Sequence, residues 1–113
     1  MARGDVLRVR LPDQGGHEQL GERPAVAVPT DQHGAALSTI MIVPFTSRPA
    51  AGRLPFTLRV QPSAQNGLKT ASVLLISQLR AIDRSRIIET IGRLEASYLA
   101  DLDRLLKELL DLA

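Results

Sequence analysis

The sequence predicts a mainly β protein, in which a small, strongly curved antiparallel sheet closes toward a barrel and is followed by one C-terminal amphipathic helix. About six short segments carry the hydrophobic patterns of strands, brief turn sequences separate them, and only the last stretch has a helical period. Because 113 residues with 44% hydrophobic content support one modest core, we expect a single domain over residues 1–113. The barrel is predicted over about residues 4–92 and the helix over about 95–112.

The first predicted strand is Asp5–Leu11, where three aliphatic residues alternate with Arg8 and Arg10. This alternation is typical of a strand with one buried face. A polar, glycine-rich loop is predicted to follow over Pro12–Glu22 and to form a mobile flap. Within Gly16–Pro24, two glycines, two carboxylates and one guanidinium stand immediately before the next apolar segment. Polar chemistry is therefore expected at the mouth of the second strand.

Two central strands are predicted over Ala25–Val28 and Thr39–Val43, because both are continuous apolar runs of strand length. Such runs are typical of strands covered on both faces. The segment Asp31–Gly34 between them has the composition of a turn. After the second run, Thr46–Arg48 bring two hydroxyls and a cation to the end of that strand.

The later strands begin with Phe56–Val60, where apolar and polar residues alternate. Asn66–Gly67 predicts a tight turn. The apolar segment that starts at Ala71 continues to Ile82, which predicts one long strand. The sequence does not decide whether this strand bends near Ser77.

Asp83 is placed to cap a single helical turn that ends at Arg86, because its carboxylate can accept hydrogen bonds from the following backbone amides. A last strand is predicted over Ile87–Ile91. From Glu95 the period becomes helical and predicts about four turns. The apolar stripe of this helix consists of Tyr98, Leu99, Leu102, Leu105, Leu106, Leu109 and Leu112.

Two oppositely charged pairs, Asp103 with Lys107 and Arg104 with Glu108, are spaced to support this helix at about 0.3–0.5 kcal/mol each.

Charge is unevenly distributed along the chain. Residues 1–94 hold twelve basic and seven acidic side chains, a net charge of +5, while residues 95–113 carry −3. Twelve of the fourteen basic residues are arginine, which suits a phosphate ligand or an acidic peptide, although genome composition explains the bias equally well.

Several function classes are disfavoured by composition. The chain has no cysteine, so it has no disulfide framework, thiolate nucleophile or cysteine zinc site. His17 and His33 stand alone without the spacing of metal ligands, and we expect neither a metal nor a cofactor. The first residues lack the apolar segment of a signal peptide and no run reaches membrane-spanning length, so a cytoplasmic protein without a membrane partner is expected.

Five spaced segments follow one another along the chain: Arg3-Gly4-Asp5-Val6, Gly16-x-Glu18-x-x-Gly21-x-Arg23-Pro24, Pro44-x-Thr46-Ser47, Ser72–Leu75 and Gln78-x-Arg80-x-x-Asp83. In this order they resemble the motifs of the MazF/PemK family of toxin endoribonucleases. Leu7 stands where relatives commonly have an aromatic residue, which affects a packing contact rather than the chemistry. The resemblance implies an SH3-like barrel of the CcdB/MazF type with a terminal helix.

The resemblance implies that Arg23 and Thr46 are the catalytic pair of a metal-independent endoribonuclease that leaves a 2′,3′-cyclic phosphate and a 5′-hydroxyl. Arg23 is expected to stabilise the negative charge that develops on the phosphate. It is not expected to act as the general base, because the pKa of arginine is too high for that role. Glu18 is the hypothetical base, and holding Arg23 in an ion pair is its alternative role. His17 is a lesser candidate.

Single-stranded RNA is usually bound by aromatic stacking and phosphate contacts. Only three aromatic residues are present, so arginine must supply more of the binding. Arg23, Arg48 and Arg80 are expected to line a groove that follows the phosphates of the RNA, and Arg53 or Arg86 is a further candidate for it. The expected RNA-binding residues are His17, Gln19, Ser47, Arg48, Gln78 and Arg80.

The same resemblance implies a type II toxin that acts on mRNA, forms a homodimer and is neutralised by a cognate antitoxin with an acidic tail. Two alternatives keep the fold but not the catalysis. One is a CcdB-like toxin that binds gyrase, although such toxins end in an aromatic-containing tail and this chain has no tryptophan. The other is a catalytically silent binding module.

Overall fold

The computed structural model describes residues 2–11, 21–28 and 37–112. Within these ranges the chain forms strands and one α-helix, with short 3₁₀ turns at Pro49–Arg53, Ile76–Gln78 and Arg84–Arg86. No helix in the described ranges is long and apolar enough to cross a membrane. The elements are β1 Asp5–Leu11, β2 Gly21–Ala27, β3 Thr39–Thr46, β4 Thr57–Val60, β5 Ser72–Leu75, β6 Arg80–Asp83, β7 Ile87–Arg93 and α1 Ala96–Leu109.

The strands form one antiparallel sheet in the order β4-β5-β3-β2-β1-β7, and β6 also pairs with β3. β3 curves the sheet, because its first part pairs with β2 and β6 while its last two residues pair with β5. Phe45 lies opposite Leu74 and Thr46 opposite Val73 at this change of partner.

The main core lies inside the curve of the sheet. It collects Val60 from β4 at one end of the sheet and Leu94, just after β7, at the other. Leu102 and Leu106 of α1 pack into the same cluster, and the largest buried side chain is Phe45 of β3. Both ends of the sheet thus wrap around one core that the helix covers, which confirms the predicted mainly β fold with a terminal helix.

The opposite face of β1, β2 and β3 carries a second buried cluster that includes Val9, Ala25 and Ile42. Ala25 and Val26 are adjacent in β2, are both fully buried and belong to different clusters. The prediction that the central strands are covered on both faces is therefore confirmed for β2. In β3 it holds only from Ile42 onward, because Met41 is 37% exposed.

The predicted loop through Glu22 is wrong at its end, because β2 starts at Gly21. β1 pairs along its whole length, with Val9 opposite Arg23 and Leu11 opposite Gly21. An ion pair of 3.3 Å between Arg10 and Glu22 joins the two strands. Arg23 therefore projects from a paired strand rather than a loop, while residues 12–20 of the predicted flap and the turn at 31–34 lie outside the described residues.

The long strand predicted from Ala71 to Ile82 is interrupted near Ser77, where the sequence left a bend open, and it forms two strands rather than one. The 3₁₀ turn at Ile76–Gln78 divides it into β5, which pairs with β4, and β6, which pairs with β3. Ile76 is fully buried, so core packing holds the chain where it changes partner. The predicted cap at Asp83 is confirmed, because its carboxylate accepts a hydrogen bond of 2.8 Å from the Ser85 amide.

The helix ends earlier than predicted, at Leu109. Asp111 has a left-handed φ of 56°, and Leu112 is 61% exposed instead of lying in the apolar stripe. Of the predicted ion pairs within the helix, Arg104 with Glu108 forms at 3.5 Å. Asp103 is instead engaged by both terminal nitrogens of Arg3, which tie the start of the chain to the helix.

Candidate functional site

A cavity of about 300 Å³ opens where β2 and β3 separate. The last paired residues of the two strands are Ala25 and Pro44. Beyond this pair, β2 remains attached to β1 and β3 turns to β5, so a gap forms between them. The gap is lined from the two strands by Glu22, Arg23, Pro24, Phe45, Thr46 and Ser47.

Three further elements enclose the cavity. Arg8 comes from β1, and Glu89 and Ile91 come from β7. The remaining wall is the connection between β4 and β5, through Gly67–Thr70 and Ser72. Residues that are far apart in the chain therefore meet at one place, because the curvature of the sheet brings β7 and this connection to the separated ends of β2 and β3.

The strand register relates Arg23 to Thr46. Val26 lies opposite Val43 and Ala25 opposite Pro44. Arg23 stands two positions before Ala25 and Thr46 two positions after Pro44, so the two residues lie on the separated ends of the two strands. A half-buried guanidinium and a buried hydroxyl thus flank the opening of the strands.

Thr46 is 2% exposed, and its hydroxyl oxygen accepts a hydrogen bond of 3.3 Å from the Arg48 backbone amide. A threonine hydroxyl has one donor proton and two acceptor positions. Since the amide uses an acceptor position, the hydroxyl proton remains for an acceptor that enters the cavity. Pairing of Thr46 with Val73 holds the backbone that carries this group.

The cavity contains charges of both signs. Arg8 lies 3.3 Å from a Glu89 carboxylate oxygen and 4.0 Å from one of Glu22, which also pairs with Arg10. The two carboxylates are therefore held by arginines of β1. Lys69 is exposed, and no described carboxylate comes within ion-pair distance of it.

Asn66 fixes the wall formed by the β4–β5 connection. It is fully buried, and its side-chain nitrogen donates to the Gln61 carbonyl at 2.9 Å and to the Glu95 carboxylate at 3.1 Å. Its side-chain oxygen accepts from the amides of Ser63 and Leu68, each at 3.0 Å. All four hydrogen-bonding positions of the amide are used, so the loop enters the cavity in one defined conformation.

The structure brings together only part of the predicted site. Arg23, Thr46 and Ser47 line the cavity, whereas Arg48, Gln78 and Arg80 do not. Arg80 lies in β6 opposite Ile42, on the face of the second core cluster, and one of its terminal nitrogens is buried without a hydrogen bond.

The two alternative arginines, Arg53 and Arg86, end separate 3₁₀ turns and do not line the cavity. His17, Glu18 and Gln19 lie outside the described residues. Among the residues that the structure describes, no three acidic or histidine side chains cluster as metal ligands would.

Sequence reasoning missed Arg8, Glu89 and Lys69. Alternation in β1 indicated only that Arg8 lies on the face opposite the aliphatic residues. It could not identify the partners of Arg8, because these depend on the register of β1 with β2 and β7. For Lys69 the available signal was Asn66–Gly67, which marked a turn without revealing which strands the turn would reach.

Comparison with known proteins gives a consistent family assignment. Residues 2–110 match the model of PemK-like, MazF-like toxins of type II toxin–antitoxin systems. Endoribonuclease MazF9 of Mycobacterium tuberculosis is 35% identical over 117 residues, which cover 99% of this chain and 98% of that protein.

Two solved structures share the fold. The crystal structure of MazF from Deinococcus radiodurans matches with a TM-score of 0.83 and 28% identity, covering 99% of this chain and 97% of that one. A MazE–MazF structure from the same organism matches with a TM-score of 0.75 and 25% identity, covering 100% and 97%. Together with the family match, these similarities cover nearly the whole chain.

Proposed function

Because the chain belongs to the family of PemK-like, MazF-like toxins of type II toxin–antitoxin systems, we propose that it is a toxin that cuts single-stranded mRNA as an endoribonuclease. The relative named as an endoribonuclease supports this activity. The observation that carries the proposal is the cavity at the separation of β2 and β3, which collects Arg23, Thr46 and Ser47. A cytoplasmic location is proposed with it, because the proposed substrate is mRNA.

The proposed reaction uses the 2′-hydroxyl of the substrate. Its oxygen attacks the adjacent phosphorus, a bond forms between them, and the bond from phosphorus to the 5′ oxygen breaks. The attacking hydroxyl loses its proton and the leaving oxygen gains one. The products are a 2′,3′-cyclic phosphate and a 5′-hydroxyl, with cuts restricted to particular sequences.

In this reaction Arg23 stabilises the negative charge that develops on the phosphorane, because a guanidinium remains protonated at neutral pH. Thr46 donates its hydroxyl proton to a phosphate oxygen, since its oxygen already accepts from the Arg48 amide. Glu18 is proposed as the base. Further RNA contacts are proposed for His17, Gln19, Ser47, Arg48, Gln78 and Arg80.

A cognate antitoxin is the proposed protein partner. The MazE–MazF structure from Deinococcus radiodurans supports this proposal. The net charge of +5 over residues 1–94 suits an acidic antitoxin tail that competes with RNA. A homodimer is also proposed, as the resemblance to the family implies, and exposed apolar side chains such as Leu37 (59%) and Met41 (37%) are candidates for burial in it.

The proposed activity is tested by incubating the protein with a long unstructured RNA in EDTA and mapping the cut positions and end groups. Arg23→Ala removes the charge-stabilising group, and Arg104→Ala is the matched control, because Arg104 lies on the helix and is 59% exposed. We expect sequence-restricted cuts that Arg104→Ala retains and that Arg23→Ala slows by about 10²–10³. Failure of the folded wild-type protein to cut several RNAs would contradict the proposal.

A further inference from the structure

The same cavity has an apolar floor that the proposed reaction does not use. Phe45 is fully buried, Leu68 is 7% exposed and Ile91 is half-buried, and all three line the cavity. A concave, mostly apolar surface with a few polar groups is the usual form of a small-molecule site. The volume of about 300 Å³ accommodates one nucleobase, with its ribose outside the cavity.

The polar edge of the cavity is rich in hydrogen-bond acceptors. Glu22 and Glu89 both line it, and their side chains are 51% and 50% exposed. An ionised carboxylate offers about four lone-pair positions and no donor. Ion pairing with Arg8 therefore leaves each of them able to accept a hydrogen bond from a ligand. Their position at the edge favours a ligand that presents donor groups.

The wall formed by the β4–β5 connection is held in place before any ligand binds. Asn66 uses all four of its hydrogen-bonding positions within the protein, and one of them holds the Leu68 amide. A site whose walls are fixed in advance loses less entropy on binding and discriminates better between ligands of similar size. The cavity is therefore suited to select a base rather than only to hold a phosphate.

We propose that this cavity binds one base of the RNA next to the cleaved phosphate and favours a base with an exocyclic amino group over uracil. This inference rests on the proposed function, because it assumes an RNA substrate. Cytosine, adenine and guanine present amino donors to a carboxylate, whereas uracil presents two carbonyl oxygens and one N–H. Glu89 and Glu22 are the specificity-determining residues, and Lys69 lies beside the adjoining phosphate.

The test measures equilibrium binding of short 2′-O-methyl oligonucleotides, which lack the attacking hydroxyl and so are not cut. Cytidine, adenosine and uridine oligomers of equal length are compared for the wild-type protein. Cytidine and uridine have the same ring size, so their affinity ratio isolates the edge groups. We expect the cytidine and adenosine oligomers to bind about tenfold more tightly than the uridine oligomer.

Glu89→Gln should remove most of this preference, because a glutamine amide can pair with either kind of edge. The quantity compared between the variant and the wild-type protein is the ratio of cytidine to uridine affinity, because loss of a negative charge strengthens binding to any RNA. Glu108→Gln is the matched control, because Glu108 is 55% exposed and paired with Arg104 on the helix. Glu22→Gln repeats the test at the second carboxylate if Glu89→Gln does not fold.

The outcomes separate the two proposals when cutting of unmodified RNA by the wild-type protein is measured in parallel. Equal binding of all three oligomers, no binding of any, or a preference that Glu89→Gln leaves unchanged would overturn the base-selection site, even if the protein cuts RNA. A preference that Glu89→Gln and not Glu108→Gln removes would support the site. If the wild-type protein then cut no RNA, only the proposed catalysis would fail.

Discussion

Gly67 packs against Ile91 so closely that a β-carbon at position 67 would overlap the Ile91 carbonyl oxygen. Gly67 also has a φ of 73°, in the left-handed region that favours glycine. Two separate constraints therefore require glycine at the base of the wall that carries Leu68 and Lys69. Contact with β7 at this point sets the distance between the wall and Glu89.

Gly67→Ala is predicted to lower the free energy of unfolding by more than about 3 kcal/mol, because it combines backbone strain with a backbone overlap that cannot relax. Gly21→Ala is the control, since Gly21 has a φ of 78° but a β-carbon added there would meet no described atom within 4 Å. That variant should lose only about 1–2 kcal/mol. Equal losses in urea unfolding of the two variants would show that the contact with Ile91 is unimportant.

Thr46→Val is predicted to abolish most RNA cutting while Thr46→Ser retains it. Valine keeps the shape of threonine but removes the hydroxyl that accepts from the Arg48 amide and that we assign to the phosphate. The lost hydrogen bond should also cost about 1 kcal/mol of stability. Cleavage rates and urea unfolding are measured for both variants, and full activity of Thr46→Val would remove the hydroxyl from the reaction.

Lys69→Gln is predicted to weaken RNA binding similarly for all sequences and to reduce the slope of log affinity against log salt by about 0.7, the value for one phosphate contact with a single strand. Lys107, on the helix, is the only other lysine in the sequence. Lys107→Gln should leave the slope unchanged. A slope for Lys69→Gln that matches the wild-type value would place Lys69 outside the RNA path.

The pKa of Asp83 is predicted to lie below the ordinary value for aspartate. The main cause is the hydrogen bond that its carboxylate accepts from the Ser85 backbone amide, and a second cause is the hydrogen bond from the Ser85 side chain. A lowered pKa in the folded state gives stability that is present above the unfolded-state pKa and is lost as pH falls through the folded-state pKa. Ser85→Ala should move the value upward, as read by NMR titration of the carboxyl carbon. An unchanged titration would contradict this role of Ser85.

Local pattern was sufficient to predict much of the fold. The bounds of β1 follow from alternation alone, and the cap at Asp83 follows from the chemistry of its side chain. Pattern failed where long-range pairing decides the structure. Gly21 and Glu22 look like loop residues, yet β1 extends far enough to pair with them.

The candidate site was predictable only in its β2 and β3 residues. Arg23 and Thr46 follow from motifs in the sequence, whereas Glu89 and Lys69 reach the cavity through the register of β7 and the packing of a connection. No local pattern encodes those relationships. The ion pairs of Arg8 depend on the same long-range register.

The attachment of the chain's beginning to its end has a consequence for synthesis. β1 finds one of its two partners in β7, and Arg3 is held by Asp103. β1 is synthesised first, and β7 and the helix follow much later along the chain, so one edge of β1 stays unpaired until they have been made. An unpaired strand edge can pair with other chains. The cavity wall at Glu89 is completed only when β7 pairs with β1.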